Sequence, residues 1–312
     1  MIEAAEVIGL GELLWDCFPD RRLPGGAPAN VAFHAQQLGL RAAVATRVGQ
    51  DELGDELCNF LLSQGLTTEL VQRDPARPTG TVTIFPESET GVNYTFLKDC
   101  AWDYLKSDNQ LLDAVRFAKA VCFGTLAQRR PTTRATIQRC LRMATTGCSI
   151  VYDVNLRQPH VARDWVAQSL DQCTVVKLNN EEVKILANLF DLSTDEIRFA
   201  KGLLDRYHKL ELVCVTRGGQ GCLAVTCDET IEQPGIVITV VDTVGAGDAF
   251  TAAIIFGRLQ NWTLLQTLDL ANHFGALVAS RSGAMPPLKA EVEELKSAIG
   301  WSFRDTPPVG HS

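Results

Sequence analysis

From residue 120 onward, short runs rich in Val, Ile and Leu alternate with longer stretches of helical apolar spacing. Residues 120–124, 149–153, 174–178, 212–216 and 222–225 have the length and β-branched content of strands; residues 132–144, 165–170, 181–189 and 195–208 have helical periodicity. Strands separated by helices predict a mainly parallel sheet with helices on both faces, a three-layer α/β/α fold. Earlier in the chain, residues 7–10 and 42–48 read as strands and 13–18 as a continuing strand. Residues 19–26 are turn-rich, 30–38 are helical with Gly39 closing the end, and a second helix runs from Gly49 through Leu62. Residues 81–85 and 92–96 are two strands joined by 86–91 with no helix between them. Such a hairpin belongs outside a doubly wound sheet, so a small β lid is expected, formed by segments at about 12–28 and 78–104. The main unit is then residues 1–304, with 305–312 a loose tail.

Ligands of open parallel sheets bind beyond the carboxyl ends of the strands. Asp16, Asp153, Asn179, Thr216 and Asp242 are the polar residues expected at such ends. The run Asp242-Thr243-Val244-Gly245-Ala246-Gly247-Asp248 follows Ile236-Val237-Ile238-Thr239-Val240-Val241, which reads as a strand, and precedes a buried helix. Gly245, Ala246 and Gly247 would leave backbone N–H groups bare at a helix N-terminus, an anion site, with the Asp248 carboxylate beside it. An anion cradle next to a base suits phosphoryl transfer to a hydroxyl. Taken alone, the same residues also suit a glycine turn in which Asp248 merely opens the helix.

In Gly25-Gly26-Ala27-Pro28-Ala29-Asn30 two glycines admit close approach of a ligand, and the Asn30 amide both donates and accepts. With Asp16 this is a set for sugar hydroxyls, although Asn30 also suits a helix cap. In Asp153-Val154-Asn155-Leu156-Arg157 alternation places Asp153, Asn155 and Arg157 on one side if the chain stays extended, and Arg157 would clamp a phosphate or sugar oxygen; a surface ion pair is the alternative. Asn179 and Glu182 have capping-box spacing, and they read as a helix cap, as an outer-shell site for hydrated magnesium, or as both. Thr216 to Gly221 is a glycine-rich connection between strands, either a plain hairpin or a surface laid against a nucleotide. Asn272, polar in an apolar helix, faces either an adenine edge or solvent. His34, His208 and His273 lack ligand spacing and read as structural.

Several classes are disfavoured. Gly9 and Gly11 begin a dinucleotide fingerprint, but Leu14 stands where its third glycine would be, and no Gly-x-x-x-x-Gly-Lys-Ser/Thr occurs. The net charge of -8 argues against nucleic-acid and anionic-membrane surfaces. The ten cysteines include no Cys-x-x-Cys and several lie in apolar runs, so they read as reduced core thiols of a cytoplasmic protein rather than a zinc site. Neither a signal peptide nor a membrane span is expected.

In their order along the chain these motifs resemble one family, the ribokinase-like sugar kinases or PfkB family. The resemblance runs from Gly11–Asp16 and Gly25–Asn30 through Gly49-x-Asp51-x-x-Gly54, Asn179-x-x-Glu182 and Thr216-x-Gly218-x-x-Gly221 to Asp242–Asp248. It implies a ribokinase-like fold with a β lid, a small-molecule sugar substrate, ATP, Mg2+ and, in many members, a stimulating K+. It implies Asp248 as the base, Gly245 to Gly247 as the anion hole, and Asp16, Gly26 and Asn30 as sugar contacts beside Arg157. It implies Asn179, Thr216, Gly218, Gly221, Gly247 and Asn272 as nucleotide contacts, and Glu182 as the residue organising magnesium through water. Asp242 and Val244, with backbone atoms at Val278, Arg281 and Gly283, would form a monovalent-cation loop. The Gly-Gly-Ala-Pro-Ala-Asn form resembles fructokinases most, since ribokinases usually carry Lys where Ala27 stands; ketodeoxygluconate kinases share Asp-x-Asn-x-Arg. A non-catalytic sugar- or nucleotide-binding regulator is the reading from another class, and open lid edges would suit a homodimer.

Overall fold

The computed structural model describes residues 5–88, 91–157 and 160–302. In chain order, β1 (Val7–Leu10), β2 (Leu14–Cys17) and β3 (Arg22–Gly25) precede α1 (Ala27–Gln37). β4 (Ala42–Gly49), α2 (Glu52–Ser63), β5 (Val71–Asp74), β6 (Gly80–Ser88), β7 (Gly91–Phe96) and α3 (Asn109–Phe117) follow. Then strands and helices alternate: β8 (Ala120–Gly124), α4 (Pro131–Met143), β9 (Ser149–Asp153), α5 (Arg163–Leu170), β10 (Val175–Asn179) and α6 (Asn180–Phe190). After α7 (Glu196–Arg206) come β11 (Leu212–Thr216), β12 (Cys222–Val225) and β13 (Thr230–Gln233), and finally α8 (Ala246–Leu259), α9 (Leu264–Ala279) and α10 (Lys289–Ser302).

Among the described residues the larger sheet has nine strands in the order β13-β12-β11-β10-β9-β8-β1-β4-β5. The seven from β11 to β5 are parallel, and β12 and β13 extend the edge antiparallel. The central strands are apolar at nearly every position because both faces are covered. Alternation splits them between two cores. Val7, Val151 and Val175 pack with α1, α8 and α9; Ile8, Tyr152 and Val176 pack with α3 to α7 on the other face. Within α8, Phe250, Ile254 and Ile255 are buried, and each contributes roughly 1.5–3 kcal/mol by leaving water. Gly257 lets α9 approach, since a Cβ there would stand 2.2 Å from the Thr267 hydroxyl.

β2, β3, β6 and β7 form a separate sheet in the order β3-β2-β6-β7. It has its own small apolar cluster of Leu14, Val82 and Ile84, packed with Phe18 and Phe96. The expected hairpin is therefore present as β6 and β7, with residues 89–90 of its connection, like the predicted tail at 305–312, outside the described residues.

Several expectations are corrected. Residues 13–18 do not extend the main sheet; β2 turns away into the small sheet, so Asp16 is not at a carboxyl end of the main sheet. The turn-rich stretch 19–26 contains the strand β3, whose Pro24 is tolerated because β3 is an edge strand. Residues 236–241 form no strand. Pro234 lacks an N–H and ends β13, and Val237, Val240 and Val241 are 99%, 59% and 62% exposed with no strand beside them. Asp242 therefore follows an irregular segment, held where the Val241 and Asp242 amides donate to the Ala279 carbonyl at the end of α9. The short strands β5 and β13 and the helices α3 and α10 were not expected, although α3 has a capping Asp108 and a buried stripe of Leu111, Leu112 and Val115. Asn30 lies inside α1, whose N-cap is Gly26, so it is not the cap.

Candidate active site

Two cavities lie side by side over the carboxyl ends of the central strands, and Asn179, Thr216, Thr243 and Gly247 line both. The first, about 390 Å³, is walled by Asp16, Val82, Tyr94 and Phe96 of the small sheet, by Glu12, Gly26 and Asn30, by Asn155 and Arg157, and by Gly245 and Asp248. The second, about 470 Å³, is walled by the backbone of Gly218, Gly219 and Gly221, by 235–238 and Val240, and by Ala246, Phe250, Ala271, Asn272 and Gly275.

The boundary is the start of α8. Gly245 is the N-cap in the left-handed region, φ 83°, where a side chain is strained. A Cβ there would also stand 2.5 Å from the Ala284 carbonyl oxygen. Ala284 is itself fixed by the buried ring of His34, 2.9 Å from the same carbonyl. Burial lowers the His34 pKa to about 4, so the ring is neutral and structural as expected. First-turn amides have no acceptor within their helix and present the positive dipole end. Of the first-turn N–H groups of α8, that of Ala246 donates to the Thr243 carbonyl at 3.3 Å, and those of Gly247 and Asp248 are left for an acceptor at the junction of the cavities.

Asp248 projects into the first cavity from that turn. Its Oδ2 accepts a 2.7 Å hydrogen bond from Asn30 Nδ2. Burial, then the charge of Asp153, pushes its pKa up to about 7, against the pull of Lys177 and Asn30. Asp16 faces the same space from β2. Gly25 makes room for it, since a Cβ there would meet Asp16 Oδ2 at 2.3 Å. Burial raises Asp16 to about 6 while Arg157 pulls the other way. Arg157 reaches over the Tyr94 ring of the small sheet, 5.7 Å from its centroid. These residues, 16, 26, 30, 157 and 248, are brought together as expected.

One grouping fails. Asn155 has φ 37°, so the chain does not stay extended after β9. Asn155 and Arg157 line the cavity, but Asp153 turns under α8, 2% exposed. There it pairs with Lys177, both carboxylate oxygens 3.2 Å from Nζ.

On the other side, Asn179, Thr216, Gly218, Gly221, Gly247 and Asn272 all line the second cavity. Gly221 has φ 97° and Gly235 lies against Gly219, so two loops meet backbone to backbone. The apolar run 236–240 that makes no strand is the outer wall. Asn272 Nδ2 donates to the Pro234 carbonyl at 3.2 Å, which fixes that wall.

Asn179 and Glu182 form a full capping box at α6. Glu182 is 5% exposed, and its oxygens accept from the Asn179 and Leu156 amides at 2.8 and 2.7 Å. It borders neither cavity. Asp242 ties two loops together, accepting from the Val244 and Gly283 amides, each at 3.0 Å. The Val278 carbonyl accepts from the Arg281 amide, and the Arg281 guanidinium faces outward to Glu291, 3.8 Å away. Among the described residues no three His, Cys, Asp or Glu side chains cluster as a metal site.

Two charged residues of the site went unread in the sequence. Glu12 lines the first cavity, 2% exposed, with Oε2 unpartnered. Burial raises its pKa to about 7 against the pull of nearby backbone amides, with Asp248 adding to the rise. Lys177 lines it from β10. A lysine inside an apolar strand was the available signal for the second; nothing local marked the first.

The sequence pattern of the pfkB family of carbohydrate kinases matches residues 10–291, and the chain belongs to that family. It is 30% identical to the probable chloroplastic fructokinase-6 of Arabidopsis thaliana, over 95% of this chain and 84% of that one. It is 30% identical to a putative sugar kinase of Pyrococcus horikoshii, over 94% and 96% of the two chains. The structure of that Pyrococcus protein in complex with ATP superposes with a TM-score of 0.80 at 26% identity, covering 93% of this chain and 99% of that one. The protein is thus a sugar kinase with a ribokinase-like fold. Among the described residues no helix is long and apolar enough to cross a membrane.

Proposed function

We propose that this chain transfers the γ-phosphoryl group of ATP to the 6-hydroxyl of D-fructose. The observation that carries the reading is the position of Gly247: it borders both cavities, with the Asp248 carboxyl on one side and the glycine-lined loops on the other. The sugar occupies the first cavity, held by Asp16, Gly26, Asn30 and Arg157. The nucleotide occupies the second, on the backbone of Gly218 to Gly221 and against Asn272. Asp248 takes the proton of the acceptor hydroxyl as its oxygen bonds to phosphorus. The bond from phosphorus to the bridging oxygen breaks, ADP leaves, and the amides of Gly245 to Gly247 hold the charge on the moving group. The small sheet acts as a lid that keeps water from the phosphate.

Each Glu182 oxygen takes one amide and retains a lone pair for metal-bound water. In this reading Asn179, which borders both cavities, and Glu182 behind it would together hold Mg2+ through water, and the ion would neutralise phosphate charge. The Asp242 loop, joining Val244 to Gly283 near Val278 and Arg281, is the place for K+. Fructose is favoured by the fructokinase relatives and by Ala27 in place of a lysine. Ten unpaired thiols suit the cytoplasm, and the open edges β3 and β7 suit a homodimer.

A coupled ADP-release assay with fructose, ribose, ketodeoxygluconate and adenosine tests the reading. Fructose should give the highest kcat/KM, by about tenfold or more, a difference worth roughly 1.4 kcal/mol. ADP release that no sugar stimulates would overturn it.

A further inference from the structure

We propose that Lys177 is a catalytic residue that donates from its ammonium to the phosphoryl group in transit, locked in place by Asp153 and Thr251. The inference rests on the kinase reading above and assigns a role that the glycine turn and Asp248 leave open.

Lys177 is the third residue of β10, and alternation turns it to the same face as Val175, toward α8. A Cβ placed on Gly247 would stand 2.8 Å from Lys177 Nζ, so the ammonium lies directly against the last glycine of the turn. It also lines the first cavity. Its position is fixed from behind. Asp153 holds it by two 3.2 Å contacts. The Thr251 hydroxyl, one turn along α8, is 2.8 Å from Asp153 Oδ2 and 3.0 Å from the Gly247 carbonyl oxygen. The cation is therefore registered to the turn that borders both cavities.

An ion pair kept only for stability is a poor account of this arrangement. A buried pair is commonly no better than apolar residues of the same volume. An ammonium has three donors, and the Asp153 oxygens account for at most two. Burial works against the charge, but Asp153, Glu182 and Asp248 outweigh it and keep the pKa above its ordinary value. The site also needs a cation. Glu12, Asp16 and Asp248 line the cavity into which a doubly charged phosphoryl group must pass, and Arg157 sits at the far, small-sheet side of it. A preorganised cation at the migrating group stabilises the transition state more than either ground state.

The test compares the wild type with Lys177→Met and with Lys177→Met/Asp153→Asn, which leaves no orphaned buried charge. Three quantities are read on proteins of matched thermal unfolding: kcat with ATP and fructose, the Kd of ADP, and the Kd of ADP with aluminium fluoride and fructose, a planar mimic of the phosphoryl group. The expected result is a fall in kcat of about 100-fold in both variants. ADP affinity and the KM for fructose should stay within about threefold, and the aluminium fluoride complex should weaken by the same factor as kcat. A folded double variant with kcat within about fivefold of wild type, or with unchanged affinity for the planar mimic, would overturn the role. Absence of sugar phosphate with the wild type would instead remove the kinase reading on which it rests.

Discussion

The cavity on the acceptor side of Gly247 is walled by charged side chains: Glu12, Asp16, Arg157, Lys177 and Asp248 reach it from five different segments. The cavity on the other side is walled by bare backbone at Gly218, Gly219, Gly221 and Gly235 and by aliphatic groups such as Val240 and Ala271. The difference follows from what each must recognise. A sugar offers hydroxyls in fixed directions, so recognition needs individual donors and acceptors, each desolvated at a cost. A nucleotide offers a flat ring and a charged chain, which a narrow slot and peptide amides accommodate. On the first side, single truncations should therefore have large and selective effects. On the second, truncation should matter little, and adding a Cβ should matter more.

The strongest challenge to this contrast is Asp248→Asn. It should lower kcat by roughly 10³-fold, within the usual range for a general base, with the KM for fructose changed only a few-fold. Steady-state kinetics retaining near wild-type kcat would sink the base assignment. Next in size, Asp16→Ala should raise the KM for fructose by about 10- to 100-fold, the value of a charge-assisted hydrogen bond, with the KM for ATP unmoved.

The pH profile sharpens the same side. Asp248 must be ionised to accept a proton, and its pKa stands at about 7 rather than the ordinary 3.8. The carboxylate fraction therefore falls below pH 7, and kcat/KM for fructose should drop about tenfold per unit of acidification. A flat profile from pH 7 to 5 would contradict it. Stability carries the opposite face of this shift. The folded protein binds the proton more tightly than the unfolded chain, so stability declines as pH rises from the ordinary carboxylate range to about 7. Asp248→Asn escapes that decline and should show a higher Tm than wild type at pH 8, but not at pH 4.

On the nucleotide side, Gly221→Ala should raise the KM for ATP about tenfold. Its φ is 97° and the new Cβ would meet the Gln233 carbonyl oxygen at 2.0 Å, a strain of about 1–3 kcal/mol. Asn272→Ala should be the mildest change. It removes one partly exposed bond to the Pro234 carbonyl, and an effect of about two- to fourfold on the KM for ATP is expected from one neutral hydrogen bond. If Asn272→Ala proved as damaging as Asp16→Ala, the contrast between the two walls would collapse.

Much of the fold was legible locally. Buried parallel strands such as β8 and β10 are apolar at almost every residue, and that signal survives without knowledge of neighbours. The glycine turn at 245–247 and the Gly218–Gly221 loop were legible because positive φ and bare backbone demand glycine. The failures share a cause. The run 236–240 has strand composition, but composition records only that a residue prefers to leave water. Whether a ladder partner or a cavity receives those residues depends on the path of the chain after Pro234, which, among the described residues, leaves the outer edge of β13 unpaired and runs along the second cavity. The grouping of Asp153 with Asn155 and Arg157 failed because one left-handed residue, Asn155, resets the alternation.

The sequence by itself determined most strands and helices of the parallel core, though not β5 or α3, together with where α8 begins and that a carboxylate stands beside its first amides. These are short-range matters of side-chain period, glycine freedom and helix ends. Only the tertiary structure decided that Asn30 hydrogen-bonds Asp248 across 218 residues of chain, that Lys177 and Asp153 meet beneath Gly247, and that β2 leaves the main sheet to face the site. Those juxtapositions depend on strand order and crossover path, which bring distant residues within a few ångströms and leave almost no trace in local spacing.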